Sequence, residues 1–213
     1  MEQQADMATA RGRTPKNSER RGKLCDMTPI AQRPDEVAAP LVPGHWEGDL
    51  ILSQARSAIG TLVERTTRFL LLVLMPTHKA DVAASAFAGA LNAVPAPLCR
   101  TLTYDQGKEM ARHKDPAQVR GAQATGMRVF FADPHSPWQR GSNENTNGLL
   151  RQHFPKSLSL ASLTQADLDT VADSLNTRPR KTLGFDTPHE RFTHLLTNLP
   201  SSITPDPSVR FGS

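Results

Sequence analysis

Three apolar runs follow one another with almost no chain between them: "HWEGDLILS" (45–53), "AIGTLVERTT" (58–67) and "FLLLVLMP" (69–76), the last two meeting at "RTTR". Each run has strand length, and β-branched and aromatic residues recur in them. A chain that leaves one strand and enters the next within a few residues must fold back on itself, because a parallel return needs a crossover of a dozen or more. The first third of the protein is therefore predicted to be an antiparallel three-stranded meander.

The period then changes. In "KADVAASAFAGALNAV" (79–94), Val82, Ala86, Phe87, Ala90, Leu91 and Val94 recur at helical spacing, and Pro95 and Pro97 end the helix. "CRTLTYD" (99–105) and "MRVFFAD" (127–133) are two further strands. The segment 108–126 between them is predicted to be helical and broken near Pro116. A strand–helix–strand unit of this kind gives parallel strands with a right-handed crossover. Next comes "PHSPWQRGSNENTNGLLRQHFP" (134–155), which opens a helix carrying Leu149, Leu150 and Phe154. "LTQADLDTVADSLN" (163–176) follows, with Leu168, Val171, Ala172 and Leu175 on one face. The order is β-β-β-α-β-α-β-α-α: an α/β core over 41–197, with a mixed five-stranded sheet flanked by helices.

Composition narrows the partners. The 213 residues carry a formal charge of +4, a modest excess that favours a polyanion. Residues 1–40 hold Arg11, Arg13, Lys16, Arg20, Arg21, Lys23 and Arg33 with little apolar period, and read as a basic arm or linker, partnered or simply solvated. Residues 198–213 read as a disordered tail. Cys25 and Cys99 fit no zinc spacing and no disulfide framework. The longest apolar run is too short to span a membrane, and no signal-peptide pattern opens the chain, so a cytoplasmic setting is expected.

Three acids stand out by position. Asp49 lies inside an apolar strand, where an uncompensated charge costs of the order of several kcal/mol. Asp105 closes the fourth strand, and Glu144 opens the helix of the 134–155 stretch. In this element order the first and fourth strands are natural neighbours, which would place Asp49 beside the end of strand four with Glu144 arriving from a helix. Converging carboxylates need a cation, and all-oxygen ligands suit Mg²⁺ or Mn²⁺. Two such ions about 4 Å apart serve in-line phosphodiester chemistry. Each acid also has a plainer reading: Asp105 suits a turn, and Glu144 suits a helix N-terminus through the dipole. Asp49 has no such alternative.

The blocks "GHWEGDLI", "SAIGTLVERTTRF", "LTYDQGKEMARH", "FFADPHSPWQRGSNENTNGLLRQHFPK" and "LNTRPRKTLGF" run in order from about residue 22 to 195. Together they closely resemble the catalytic region of the IS-thirty family of bacterial insertion-sequence transposases, within the wider DDE transposase and integrase group. The resemblance implies an RNase H-like fold. It implies metal-dependent cleavage of DNA at transposon ends and strand transfer into target DNA, by a homo-oligomer associated with the bacterial nucleoid. Asp49, Asp105 and Glu144 fall on the family's acidic positions as catalytic residues and ligands of Mg²⁺ or Mn²⁺, with two ions expected. Arg151, two helical turns after Glu144, falls where related transposases carry a basic residue facing a phosphate.

Other residues are candidates for touching DNA. Trp138, Gln139 and Arg140 precede the helix and suit stacking or hydrogen bonding to nucleotides, although Trp138 equally suits the core. Asn145 and Asn147 are polar helix positions that could meet DNA, and Ser142 or Asn143 can cap the helix. Arg178, Arg180 and Lys181 form a phosphate-binding patch. His135 could orient a water or be an ordinary loop histidine. Two departures from the family are visible. Its N-terminal helix-turn-helix region does not precede the match, and the 39 positions from Asp105 to Glu144 are slightly wide. The alternative expectation is accordingly a truncated, non-catalytic fragment that binds DNA or full-length transposase and regulates it.

Overall fold

The computed structural model describes residues 27–37, 40–52, 57–106 and 127–199. Most of the expected basic arm, the expected helix at 108–126 and nearly all of the expected tail lie outside the described residues. The meander is present as β1 (His45–Leu52), β2 (Ala58–Glu64) and β3 (Leu70–Met75). Both pairings are antiparallel, with Asp49 opposite Thr61 and Ala58 opposite Met75. The turn between β2 and β3 is built on a buried carboxylate. Glu64 accepts hydrogen bonds from the Thr67 backbone N–H and hydroxyl, both at 2.7 Å, and from Gly44 N–H at 3.0 Å.

After α1 (Ala80–Asn92), β4 (Thr101–Tyr104) returns to lie parallel to β1, and β5 (Arg128–Phe131) lies parallel to β4. The sheet order is β3-β2-β1-β4-β5. Three helices follow: α2 (Gly141–His153), α3 (Gln165–Asn176) and α4 (Pro188–Thr197). The sequence reading placed α2 and α3 and missed α4. The signal for α4 was nonetheless present, since Thr187 and Glu190 form a reciprocal capping box around Pro188 at the first helical position.

Alternation along β2 divides the core. Leu62 faces a cluster with Trp46, Phe87 and Leu91, in which Phe192 of α4 stacks on Phe69 at a ring separation of 4.2 Å. Ile59 and Val63 face the opposite cluster, which includes Leu150 and Phe154 from α2 and its C-terminal end and Leu168, Ala172 and Leu175 of α3. Both sheet faces are covered, so β2 is buried along its whole length. Residues 27–37, read from sequence as part of the arm, lie against the sheet: Pro29 bridges to Phe131, and Arg33 donates to Thr103 Oγ1 at 3.2 Å. Among the described residues, no helix is long and apolar enough to cross a membrane.

Two features of this core are open to test. A Cβ built on Gly60 would stand 2.5 Å from the Phe87 ring of α1, so only glycine lets the helix sit this close to the sheet. Gly60→Ala is expected to lower stability by about 1–3 kcal/mol in urea unfolding; an unchanged midpoint would contradict the packing. His45 is buried and shares a 2.9 Å hydrogen bond with Thr101 through Nδ1. Burial drives its pKa down to about 4; Glu36 opposes this, while Arg100, Arg65 and Arg33 add to it. The unfolded chain therefore takes up this proton first, near pH 6.5. Stability should fall as pH drops from 7 to 5, by ~2 kcal/mol from this residue, and His45→Asn should flatten that part of the profile.

Candidate active site

Parallel pairing of β1 and β4 sets His45 beside Thr101 and Glu47 beside Thr103. The same register, carried two residues further, brings Asp49 level with Asp105 at the end of β4. Glycine at position 48 leaves room for the Tyr104 ring of β4, which would lie 2.6 Å from a Cβ there. Helix α2 then brings Glu144 over the same edge. All three acids converge on one side chain, Arg140. Its Nη1 lies 3.3 Å from Asp49, and its Nη2 lies 3.7 Å from Asp105 and 3.5 Å from Glu144. Nη1 also donates to Gly48 O at 3.2 Å. The guanidinium is only 8% exposed, whereas the Glu144 side chain is 43% exposed and faces solvent.

Asp49 is held from both sides. Its Oδ1 accepts from Leu50 N–H at 2.8 Å, and its Oδ2 accepts from Asn147 Nδ2 at 2.9 Å. Burial raises its pKa; Arg140 and the Leu50 N–H oppose that shift, and Asp105 and Glu144 add to it. Asp49 thus feels both of the other carboxylates. Asp49, Asp105 and Glu144 supply the all-oxygen donors a divalent ion prefers. Among the described residues, however, no three acidic, imidazole or thiol groups stand close enough to hold one ion directly. The positive charge of Arg140 lies at the point where the three converge.

The helix that carries Glu144 is anchored by the sheet. Ser142 and Asn143 were expected as caps, but α2 begins at Gly141, which places both inside the helix, and no side chain of the preceding turn caps it. The cap comes from β1 instead: Glu47, fully buried, accepts from Asn143 N–H at 2.9 Å. The same carboxylate accepts from Arg65 Nε at 2.7 Å, while Thr61 Oγ1 donates to Asn143 Oδ1 at 3.0 Å. Glu47 carries no expectation from the sequence above. The available signal was its position two residues before Asp49, on the same strand face and equally costly to bury alone.

The remaining candidates are spread around this centre. Trp138 is 74% exposed, which removes the core reading. Gln139 closes the 133–139 loop by bonding both the backbone N–H and the carboxylate of Asp133. Arg140, expected to reach DNA, points inward to the acids. Asn145 is exposed, Asn147 is spent on Asp49, and half-buried Arg151 makes a long 3.5 Å contact to Phe154 O. Arg178 and Lys181 are exposed, and Arg180 is half-buried with Nη2 donating to Leu175 O at 3.1 Å. His135 is exposed, with a positive φ of 58°. Cys99 is buried, and burial pushes its thiol up to about 12, so it is inert at neutral pH.

If Glu47 anchors α2, removing it leaves Asn143 N–H and Arg65 without their shared acceptor. Glu47→Ala should cost about 3–5 kcal/mol in urea unfolding. Glu144→Ala, at an exposed position, should cost under about 1 kcal/mol. Equal costs would mean that Glu47 is not the anchor.

No protein-family model matches the chain. Individual relatives do. The chain is 53% identical over 184 residues to the transposase for insertion sequence element IS1086 of Cupriavidus metallidurans, covering 86% of this chain and 53% of that protein. It is 45% identical over 163 residues to transposase InsI for insertion sequence element IS30A of Escherichia coli, covering 76% of this chain and 41% of that one. A transposase for insertion sequence element IS4351 of Bacteroides fragilis is 34% identical over 177 residues. The chain spans about half the length of the curated relatives it matches. Among solved structures, the catalytic core domain of BIV integrase is similar in fold, with a TM-score of 0.52, 17% identity, and coverage of 71% of this chain and 95% of that one. The chain is thus a homologue of the IS-thirty family of insertion-sequence transposases, built on the integrase-type, RNase H-like fold.

Proposed function

We propose that this chain is a transposase catalytic region that cleaves DNA at transposon ends and transfers the strand to target DNA, using divalent metal ions. The observation that supports it best is the meeting of Asp49, Asp105 and Glu144 around one cationic centre on an integrase-type sheet. Asp49, Asp105 and Glu144 would hold Mg²⁺ or Mn²⁺, with two ions favoured for in-line displacement. When bound, such ions activate the attacking oxygen and stabilise the leaving one.

The chain's own groups divide the remaining work. Leu50 N–H and Asn147 fix the orientation of Asp49 before anything binds. Asp105 is held at a strand end, and Glu144 on the first turn of an anchored helix. Arg140 offsets part of the charge of the three acids and would have to swing out for them to close on an ion. Arg151, Arg178 and Lys181 would meet DNA phosphates at the surface, which adds salt-dependent but sequence-independent affinity. The chemistry needs no covalent protein–DNA intermediate, because a hydroxyl group of water or DNA is the nucleophile.

The test is strand joining with Mn²⁺, a pre-cleaved transposon end and a plasmid target. Asp49→Asn, Asp105→Asn and Glu144→Gln should each reduce joining by at least about a hundredfold while leaving the melting temperature near that of the parent. Chelation should abolish joining, and added Mg²⁺ or Mn²⁺ should restore it. Joining that persists in Asp49→Asn would overturn the site. DNA binding with no joining under any metal would favour the non-catalytic, regulatory reading.

A further inference from the structure

A cavity of about 380 Å³ opens beside the turn that carries Arg140, where Trp138 of that turn and Gly141, Ser142 and Asn145 of α2 reach its wall. Arg65, Arg68, Arg180, Trp138, Asn145 and Thr182 line it. The size lies at the small end of ligand cavities: it has room for one nucleotide and not for a base pair. Its electrostatics are uneven. Arg65 is neutralised by Glu47 at 2.7 Å. Arg68 and Arg180 form no ion pair among the described residues; Arg68 donates to the Ser142 hydroxyl, and Arg180 to a backbone carbonyl. Burial lowers the pKa of both guanidiniums; Glu47 and Glu64 partly oppose this at Arg68, and a bound anion would oppose it further at both. Arg68 is also the turn residue after β2, with a φ of 63° that an arginine adopts uncommonly. That conformation accompanies a side chain directed into the cavity.

The opposite wall is aromatic. Trp138 leaves 74% of its surface to solvent, although the turn Pro137–Arg140 holds its backbone in place. Two positions later in that turn, Arg140 touches all three carboxylates. Two cations without an ion pair among the described residues, an exposed indole, and the amide and hydroxyl of Asn145 and Thr182 match the three parts of a nucleotide: phosphate, base face and base edge.

We propose that this cavity receives one unstacked nucleotide of a DNA strand, its phosphate on Arg68 and Arg180 and its base against Trp138, next to the phosphate at the acidic centre. The placement beside a reacting phosphate rests on the strand-transfer reading; the binding itself does not. An unpaired nucleotide held there would fix the register of the strand and require the duplex end to open locally.

The test uses the full chain in EDTA, with tryptophan fluorescence and anisotropy as readouts. The probes are a short oligodeoxythymidine strand, a blunt duplex and thymidine monophosphate. The single strand should quench Trp138, the exposed member of the protein's two tryptophans. Trp138→Ala and Arg180→Ala should each weaken strand binding about tenfold, change blunt-duplex binding by less than about twofold, and keep the parental melting temperature. Arg68→Lys should weaken strand binding in the same direction. Equal losses for strand and duplex, or no loss in any variant, would overturn the proposal. So would a monophosphate that binds as tightly as the strand, since the cavity would then serve a free nucleotide. Asp49→Asn separates the two readings, because it removes strand joining and should retain the quench. Joining without selective strand binding sinks the cavity alone; selective strand binding without joining sinks only the strand-transfer reading.

Discussion

Carboxylates repel, and three of them can be gathered at one sheet edge only if positive charge stands among them. In this protein Arg140 is that charge. One planar guanidinium reaches Asp49, Asp105 and Glu144 and also donates to the β1 backbone at Gly48 O. An opposite charge at such distances is worth a few kcal/mol in a partly buried setting. It is worth less for Asp105 and Glu144, whose side chains are 40% and 43% exposed. The sheet order, the glycine at position 48 and the anchoring of α2 all serve this convergence.

Helix α2 shows how one element serves both the core and the site. Its buried residues are Ser142, Asn143, Thr146 and Leu150, which form one face by helical spacing. That face is polar where it crosses β1 and β2 near the acids and apolar where it joins Ile51, Ile59 and Leu70. The C-terminal half supplies hydrophobic burial. The N-terminal half supplies hydrogen bonds to Glu47, Thr61 and Asp49, which fix its rotation. Glu144 is thereby turned outward on a helix whose opposite side cannot shift without leaving buried polar groups unpaired.

Much of the architecture was readable from local pattern. The three runs before residue 77 point to a meander, the parallel pairing of β4 with β5 follows from the crossover rule, and β1 lies beside β4 as the element order suggests. Asp49 was conspicuous because a mid-strand acid needs compensation. Its compensation was not readable: Arg140 is 91 positions away in the chain and was assigned to DNA, because an arginine beside Trp138 and Gln139 looks like a surface group. Glu47 suffered the same fate, since its partners Arg65 and Asn143 lie in different elements. Helix α4 was missed because its apolar residues are few and its start is marked only by a proline and a capping box.

The amino-acid sequence on its own determined the order and periods of the five strands and of α1, α2 and α3, and where the three acids stand among them, because these depend on neighbours within a few residues. Only the tertiary structure decided that Arg140 turns inward, that Glu47 caps a helix it is not part of, and that Arg68, Arg180 and Trp138 border one cavity. Those outcomes depend on which distant charges share a low-dielectric space once the sheet has closed, and charge pairing across a fold leaves no periodic trace in the chain.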